Sequence, residues 1–171
     1  MTTRIRNAGF SMIELLVAVL VMGIGVLGIT GLQLVSLQNN RGALLRGEAV
    51  QLSYDILDRI RANPGANYDG LAMGAAPAAP TDCNANTCTE AQMAVFDRAV
   101  WKCSLGSYNT NATCIALRAA GVLPSVQTQP GLPSGDGSIA VNAGTGVVTV
   151  SVRWQEPNAA NPTTISMQSQ G

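Results

Sequence analysis

The sequence predicts an α+β protein in which a long N-terminal α-helix is packed on a small antiparallel β-sheet, with a cysteine-containing loop region in the head. An apolar run near the N-terminus continues into an amphipathic segment of helical period. Much further along the chain, two runs of alternating β-branched residues flank a connection that contains glycine. Segments rich in proline and glycine lie between these two regions and predict loops.

The first part of the helix is long and apolar enough to cross a membrane. Residues 15–40 carry no charge, whereas about 20 residues span the hydrocarbon core and the apolar part of a secretory signal has only about 7–15. Arg4 and Arg6 precede this run, which places the N-terminus in the cytoplasm and the head on the other side of the membrane. The sequence therefore predicts a retained single-pass anchor.

Glu14 is the only formal charge between Arg6 and Arg41. A carboxylate at bilayer depth costs roughly 2.5–3.5 kcal/mol, so an ionisable residue in this place is a functional hypothesis in itself. A plain anchor explains neither this charge nor the short polar leader that ends at Gly9, just before Phe10.

Beyond the apolar run, the helix is expected to continue to Ala62. The residue before proline avoids helical dihedrals, so Asn63 and Pro64 end it. Charged residues, with Asp55 and Arg59 at the i,i+4 spacing, form either a solvated face or a docking surface for a neighbouring subunit. The apolar residues recur at three- and four-residue steps and share one face: Leu45, Ala49, Leu52, Ile56 and Ile60.

The head alternates loop, helix and strand signals. Residues 65–80 and 131–137 predict loops, because both are rich in small residues and glycine or proline. Thr89 and Gln92 have the spacing of a capping box that opens a helix to about Lys102, and residues 118–123 predict one more helical turn. Residues 138–141 and 147–154 predict a hairpin, and residues 163–167 predict an edge strand.

Four cysteines lie close together in the head. An even count in an exported, loop-rich region indicates two disulfides. Free thiols and a metal site remain alternatives, although the spacings C-x4-C and C-x10-C lack the short ligand turns of zinc sites. Pairing each cysteine with its nearest neighbour is one of three connectivities, and it gives Cys83–Cys88 and Cys103–Cys114.

Composition argues against several functional classes. Histidine, the commonest general base and metal ligand, is absent. Acidic residues are dispersed and no nucleophile stands beside a base, so we expect no catalytic residues, no metal and no cofactor. The net charge is zero, so nucleic acid is not an expected partner. The basic residues beyond the long helix are few: Arg98, Lys102, Arg118 and Arg153.

A run of glycines in the apolar segment imitates a dinucleotide-binding fingerprint. Gly23, Gly25 and Gly28 match G-x-G-x-x-G, but they lie inside an unbroken apolar run rather than in a strand-to-helix turn. Each glycine costs about 1 kcal/mol in a helix interior. Together with Gly31 they predict a soft segment that can pack closely, kink or lose helicity outside lipid.

Residues 4–14, RIRNAGFSMIE, resemble the prepilin signature of the type IV pilin superfamily. In that family a membrane aspartic peptidase cuts after the glycine and methylates the new N-terminal phenylalanine. The apolar helix stays on the mature protein and becomes the packing core of a filament. The resemblance implies cleavage after Gly9, N-methylation of Phe10 and a role in assembly for Glu14, whose nearest partner would be a positive N-terminal amine.

Residues 49–64, AVQLSYDILDRIRANP, resemble the helix end of PilV-type minor pilins, and residues 150–154 resemble their final strand. This resemblance implies a minor pilin that joins a tip or priming complex, promotes pilus assembly and presents an adhesin. The implied partners are other minor pilins, the major pilin, a pilus-tip adhesin and the prepilin peptidase. Two alternatives remain: a minor pseudopilin of a type II secretion system, and a surface pilin that binds a ligand or DNA.

The predicted organisation has four parts. Residues 1–9 form a cleaved leader, residues 10–37 a membrane and filament-core helix, residues 38–63 its periplasmic amphipathic half, and residues 64–171 the α+β head. The resemblance implies a protein that first lies in the bacterial inner membrane, with its head in the periplasm, and then in a pilus on the cell surface. Cell adhesion and twitching motility are the processes that this location implies.

Overall fold

The computed structural model describes residues 9–157 and 159–170, so most of the predicted leader, with Arg4 and Arg6, lies outside the described residues. The described chain confirms the α+β class: a long N-terminal helix and an antiparallel sheet with the order β1-β2-β3. Its elements are α1 (Met12–Ala62), α2 (Glu90–Leu105), α3 (Ala112–Ala119), β1 (Asp136–Val141), β2 (Val147–Trp154) and β3 (Thr163–Gln170).

Helix α1 begins two residues after Phe10, the predicted start, and ends at Ala62 as predicted. Its residues up to Arg41 and those from Gly42 onward belong to two separate compact units. In the first unit, residues 12–40 are all exposed. An 18-residue window of the helix has a mean hydropathy of 2.6 and no buried residue, so by length and composition α1 can cross a membrane.

The main core lies in the second unit, between the C-terminal half of α1, helix α2 and one face of the sheet. Trp101 and Trp154 are fully buried in it. The indole Nε1 of Trp101 donates to the carbonyl of Leu52 at 2.8 Å, which ties α2 to α1. The predicted apolar face of α1 is confirmed: Ala49, Leu52, Ile56 and Ile60 are buried, and Leu45 is half-buried.

The sheet follows a regular register. Val150 of β2 lies opposite Ile139 of β1 and Met167 of β3. Alternate residues of β2 are buried, as the period of two predicts. Strand β2 has the predicted bounds, but β1 begins two residues earlier than predicted and β3 ends three residues later. The added residues lack the β-branched alternation on which the prediction depended.

Helix α2 begins with the predicted capping box. The Thr89 side chain accepts from the amide of Gln92, and the Gln92 side chain accepts from the amide of Thr89. The helix runs to Leu105, three residues beyond Lys102. Gly106 follows it with φ 122°, in the left-handed region that favours glycine.

The helical turn predicted at residues 118–123 is misplaced, since only Arg118 and Ala119 of that range are helical. Helix α3 covers Ala112–Ala119, because the side chain of Asn111 accepts from the amide of Thr113 and caps the N-terminus. Gly121, at φ 75°, then breaks the helix. The predicted position missed the cap, which lies seven residues upstream of Arg118.

Two disulfides join Cys83 to Cys88 and Cys103 to Cys114. This is the nearest-neighbour pairing that the sequence predicts, and none of the four cysteines is free. The first disulfide closes a loop before α2, and the second links α2 to α3. Cys103 and Cys114 belong to a second, smaller core cluster with Phe96, Ala99, Val100, Leu117 and Leu123.

Candidate processing and assembly site

The bond between Gly9 and Phe10 precedes the first turn of α1. A Cβ on Gly9 would meet no heavy atom within 4 Å, and the Phe10 side chain is 80% exposed. Among the described residues nothing covers this bond. The geometry therefore leaves both the predicted cleavage point and the predicted methylation point open to an enzyme.

Ser11 and Glu14 form the N-terminal end of α1. The Ser11 hydroxyl accepts from the amide of Ile13 at 3.3 Å, and the Ser11 carbonyl accepts from the amide of Glu14 at 3.1 Å. The amide that reaches the Ser11 hydroxyl is that of Ile13 rather than that of Glu14, so the S-x-x-E spacing does not form a capping box here. Glu14 lies in the first turn, where a carboxylate contributes about 0.3–1 kcal/mol through the helix dipole, and sequence reasoning missed this role.

The glycines of the apolar run lie inside α1, not in a strand-to-helix turn, so they do not form a phosphate-binding loop. A Cβ built on Gly23, Gly25, Gly28 or Gly31 would meet nothing within 4 Å. No packing within the described chain requires glycine at these positions. Gly25, Gly28 and Gly31 recur at three-residue steps and lie on one side of the helix, where another helix can approach closely.

A polar network holds the end of α1. Arg59 Nη1 lies 3.1 Å from Asp97 Oδ1, and its Nε lies 3.1 Å from Asp55 Oδ2. Tyr68 donates its hydroxyl to Asp97 Oδ2 at 2.6 Å, and Asn63 Nδ2 donates to the Tyr68 hydroxyl oxygen at 3.2 Å. Burial and the bond to Asp97 raise the pKa of Tyr68.

This network revises the interpretation of one charge on α1, whereas Asp55 and Asp58 are exposed, as a solvated face predicts. Arg59 is only partly exposed and pairs with the buried Asp97 of α2. Arg61 is more exposed, and it contacts Asp58 at 2.9 Å and the Ser169 hydroxyl of β3 at 2.7 Å. The C-terminal end of α1 is therefore fixed to both α2 and the sheet.

A buried ion pair joins α2 to β1. Lys102 Nζ lies 2.5 Å from Asp136 Oδ1 and donates to the carbonyl of Ala72 at 3.0 Å. Burial acts to raise the pKa of Asp136, but hydrogen bonds from Lys102 and from the amides of Gly74 and Gly137 outweigh it, so this pKa lies below its ordinary value. Burial lowers the pKa of Lys102, and the bond to Asp136 opposes that shift.

Three of the four basic residues counted on the head are used inside the fold, and Arg98 donates to the carbonyls of Ala94 and Asp69. Lys102 is fully buried. Arg118 donates through Nη2 to the Cys103 carbonyl at 3.0 Å and to Asn109 Oδ1 at 2.9 Å. Within the described ranges, no group of three or more His, Cys, Asp or Glu side chains is placed to hold a metal ion.

Two family models match adjoining parts of the chain. Residues 4–30 match the prokaryotic N-terminal methylation motif. Residues 31–99 match the family described as type IV pilin Tt1218. Neither the curated proteins nor the solved structures gave a match.

The two matches adjoin and, together with the fold, support membership of the type IV pilin superfamily. Pilins are structural proteins, not enzymes. The motif implies processing by a prepilin peptidase and assembly with other pilins, and the apolar N-terminal helix is consistent with anchoring in the inner membrane.

Proposed function

We propose that this pilin is a PilV-type minor pilin that joins the tip or priming complex of a type IV pilus, promotes assembly and presents an adhesin. The observation that carries the proposal is the methylation motif at residues 4–30, followed by an apolar helix that the described chain leaves exposed. The resemblance of residues 49–64 to minor pilins supports the narrower assignment.

The mechanism is association rather than chemistry. The exposed apolar side chains of residues 12–40 are stable in lipid, and extraction into a filament exchanges lipid contacts for contacts with other helices. The side of the helix that carries Gly25, Gly28 and Gly31 permits close approach in that state. The buried core of the head is not involved in this exchange.

Glu14 is the assembly residue in this proposal. Inside a filament its carboxylate would lose water, and a buried charge is tolerated only with a partner. The proposed partner is the amine of Phe10, either its own or that of an adjacent subunit, after cleavage behind Gly9. Because Glu14 also lies in the first turn of α1, its local effect on the helix has to be separated from this role.

Deletion of the gene, with complementation, tests the proposal. We expect piliation and adhesion to fall, secretion of exoproteins to stay normal, and the complementing chain to occur in sheared pili in small amount relative to the major pilin. Loss of secretion with normal piliation would instead identify a type II pseudopilin. Intact mass of the chain from sheared pili should show methylated Phe10 as its first residue.

A further inference from the structure

The two edges of the sheet differ. The outer edge of β1 is covered by the loop that follows α1: the amide of Ile139 donates to the Leu71 carbonyl at 2.8 Å, and the amide of Val141 donates to Asp69 Oδ1 at 2.7 Å. An edge covered in this way offers few free backbone groups to another chain.

Among the described residues no backbone pairs with the outer edge of β3, and the Arg61 guanidinium of α1 contacts the strand at the Ser169 hydroxyl near its end. The backbone hydrogen bonds of Thr163–Gln170 go to β2, in an uninterrupted one-to-one register. The strand has eight residues, no charge, no proline and no bulge. Proteins normally protect a free edge with a charged residue, a proline, a bulge or a very short strand, and β3 itself has none of these features.

The side chains of β3 show what a further strand would bury. Ile165 and Met167 point to the core side and are only half-buried, although they pack against the main cluster. Thr164, Ser166 and Gln168 are exposed on the opposite face. A neighbouring strand with apolar residues at alternate positions would complete the burial of Ile165 and Met167.

We propose that the free edge of β3 binds an extended, uncharged segment of another pilus subunit, which adds a fourth strand to the sheet. Backbone hydrogen bonds supply the affinity in such an addition, and the alternate side chains supply the specificity. The proposal rests on the proposed function only in naming a pilus subunit as the source of the strand.

A second copy of this chain does not fit the edge. Two β3 strands that pair antiparallel are related by a half-turn about an axis perpendicular to the sheet. Residues 42–62 pack on the sheet, so in the two copies they would run in opposite directions. Subunits anchored in one membrane run in the same direction. A parallel pair would put the two core faces on opposite sides and leave Ile165 and Met167 half-buried.

Site-specific photocross-linking tests this edge. A benzophenone amino acid replaces Thr164, Ser166, Gln168 or Gln170 in separate full-length variants, and Thr145, exposed in the β1–β2 connection, is the control position. Irradiation is carried out in whole cells, and cross-linked peptides are mapped separately from membranes and from sheared pili.

We expect each two-residue step along β3 to move the cross-link two residues along one segment of a different protein, because paired strands keep a fixed register. The direction of movement shows whether the pair is antiparallel or parallel. Cross-links that do not move with position, that lead to another copy of this chain, or that are absent from all four positions overturn the proposal.

Two lysine variants sharpen the result. Met167→Lys places a charge on the core side of the edge, and we expect it to reduce cross-linking from position 164 about tenfold, as an inward-pointing edge charge does. Ala143→Lys, in the exposed β1–β2 connection, is the control, because its charge lies off β3 and does not protect the edge. Equal cross-linking in both variants, with wild-type melting temperatures, contradicts strand addition.

The failure of this proposal is distinguishable from failure of the proposed function. If the chain is absent from pili but its cross-links in membranes move with position along β3, the edge inference stands and the pilus role fails. If the chain is in pili but its cross-links do not move with position, the pilus role stands and the edge inference fails.

Discussion

The first unit of the molecule exposes its apolar side chains, whereas the head buries most of its large ones. Residues 12–40 expose every side chain, while the head buries both tryptophans, an ion pair and two apolar clusters. Apolar surface of that extent requires lipid or other helices around it. The comparison teaches that mutations in the first unit should act on location and assembly, and mutations in the head on stability.

A substitution at the predicted cleavage point should have the largest effect on location and assembly. Gly9→Leu should block cleavage, so the variant remains a membrane-bound precursor and almost none of it enters pili. The head should fold normally, because Gly9 contacts nothing within 4 Å. Intact mass of the membrane fraction measures retention of residues 1–9. Retention of these residues in wild-type pili would show that the bond is not the cleavage point.

Glu14→Gln separates charge from shape in the first unit. Glutamine keeps the shape of the side chain and loses only the small interaction of the charge with the helix dipole, so the helix end should be kept. We expect normal cleavage and membrane residence, several-fold less of the chain in sheared pili, and an unchanged melting temperature of the head. Quantitative immunoblots of membranes and pili measure this, and wild-type amounts in pili would rule out an electrostatic role in assembly.

Asp136→Asn tests the head. It leaves the Lys102 charge buried without its partner, and loss of one member of a buried pair costs about 3–5 kcal/mol. Asp58→Asn is the control, because its pair with Arg61 is exposed and worth less than about 1 kcal/mol. Denaturant unfolding of the full chain in detergent, followed by tryptophan fluorescence, compares the two. Similar decreases in the free energy of unfolding for the two variants would show that burial of the Lys102–Asp136 pair has no energetic consequence.

The same pair predicts a dependence on pH. The pKa of Asp136 is lower in the folded state, so its contribution to the free energy of unfolding is complete above the unfolded value of about 3.9 and is lost as the pH falls through the folded pKa. Wild-type stability should therefore decrease in acid below about pH 4. In Asp136→Asn this part of the decrease should be missing, and an unchanged acid profile would contradict the assignment.

Loss of either disulfide should lower the free energy of unfolding by less than loss of the buried ion pair, and the two losses should differ in size. Replacing Cys103 and Cys114 by serine opens a loop with a separation of 11 residues, at a cost of about 3 kcal/mol, whereas opening the Cys83–Cys88 loop, with a separation of 5, costs about 2 kcal/mol. The same unfolding assay measures both double variants. A larger loss from the Cys83–Cys88 pair would show that loop length does not determine the order.

The sequence predicted those parts of the structure that depend on local patterns. The apolar face of α1, the capping box at Thr89 and the bounds of β2 follow from periodicity and spacing, and the cysteine pairing follows from proximity. The ion-pair partners of Arg59 and Lys102 could not be predicted from local patterns. Asp97 lies 38 residues from Arg59, and Asp136 lies 34 residues from Lys102. Such pairs form only through tertiary packing.

The two buried tryptophans give the head a built-in optical readout. The Trp101 indole is hydrogen-bonded to the carbonyl of Leu52 on α1, while the Trp154 indole nitrogen is buried without a hydrogen-bond partner among the described residues. An indole without a hydrogen bond in apolar surroundings emits at shorter wavelength than a bonded one. In Trp154→Phe the emission of Trp101 should therefore report on the contact between the helices. In Trp101→Phe the emission of Trp154 should report on the interior of the sheet.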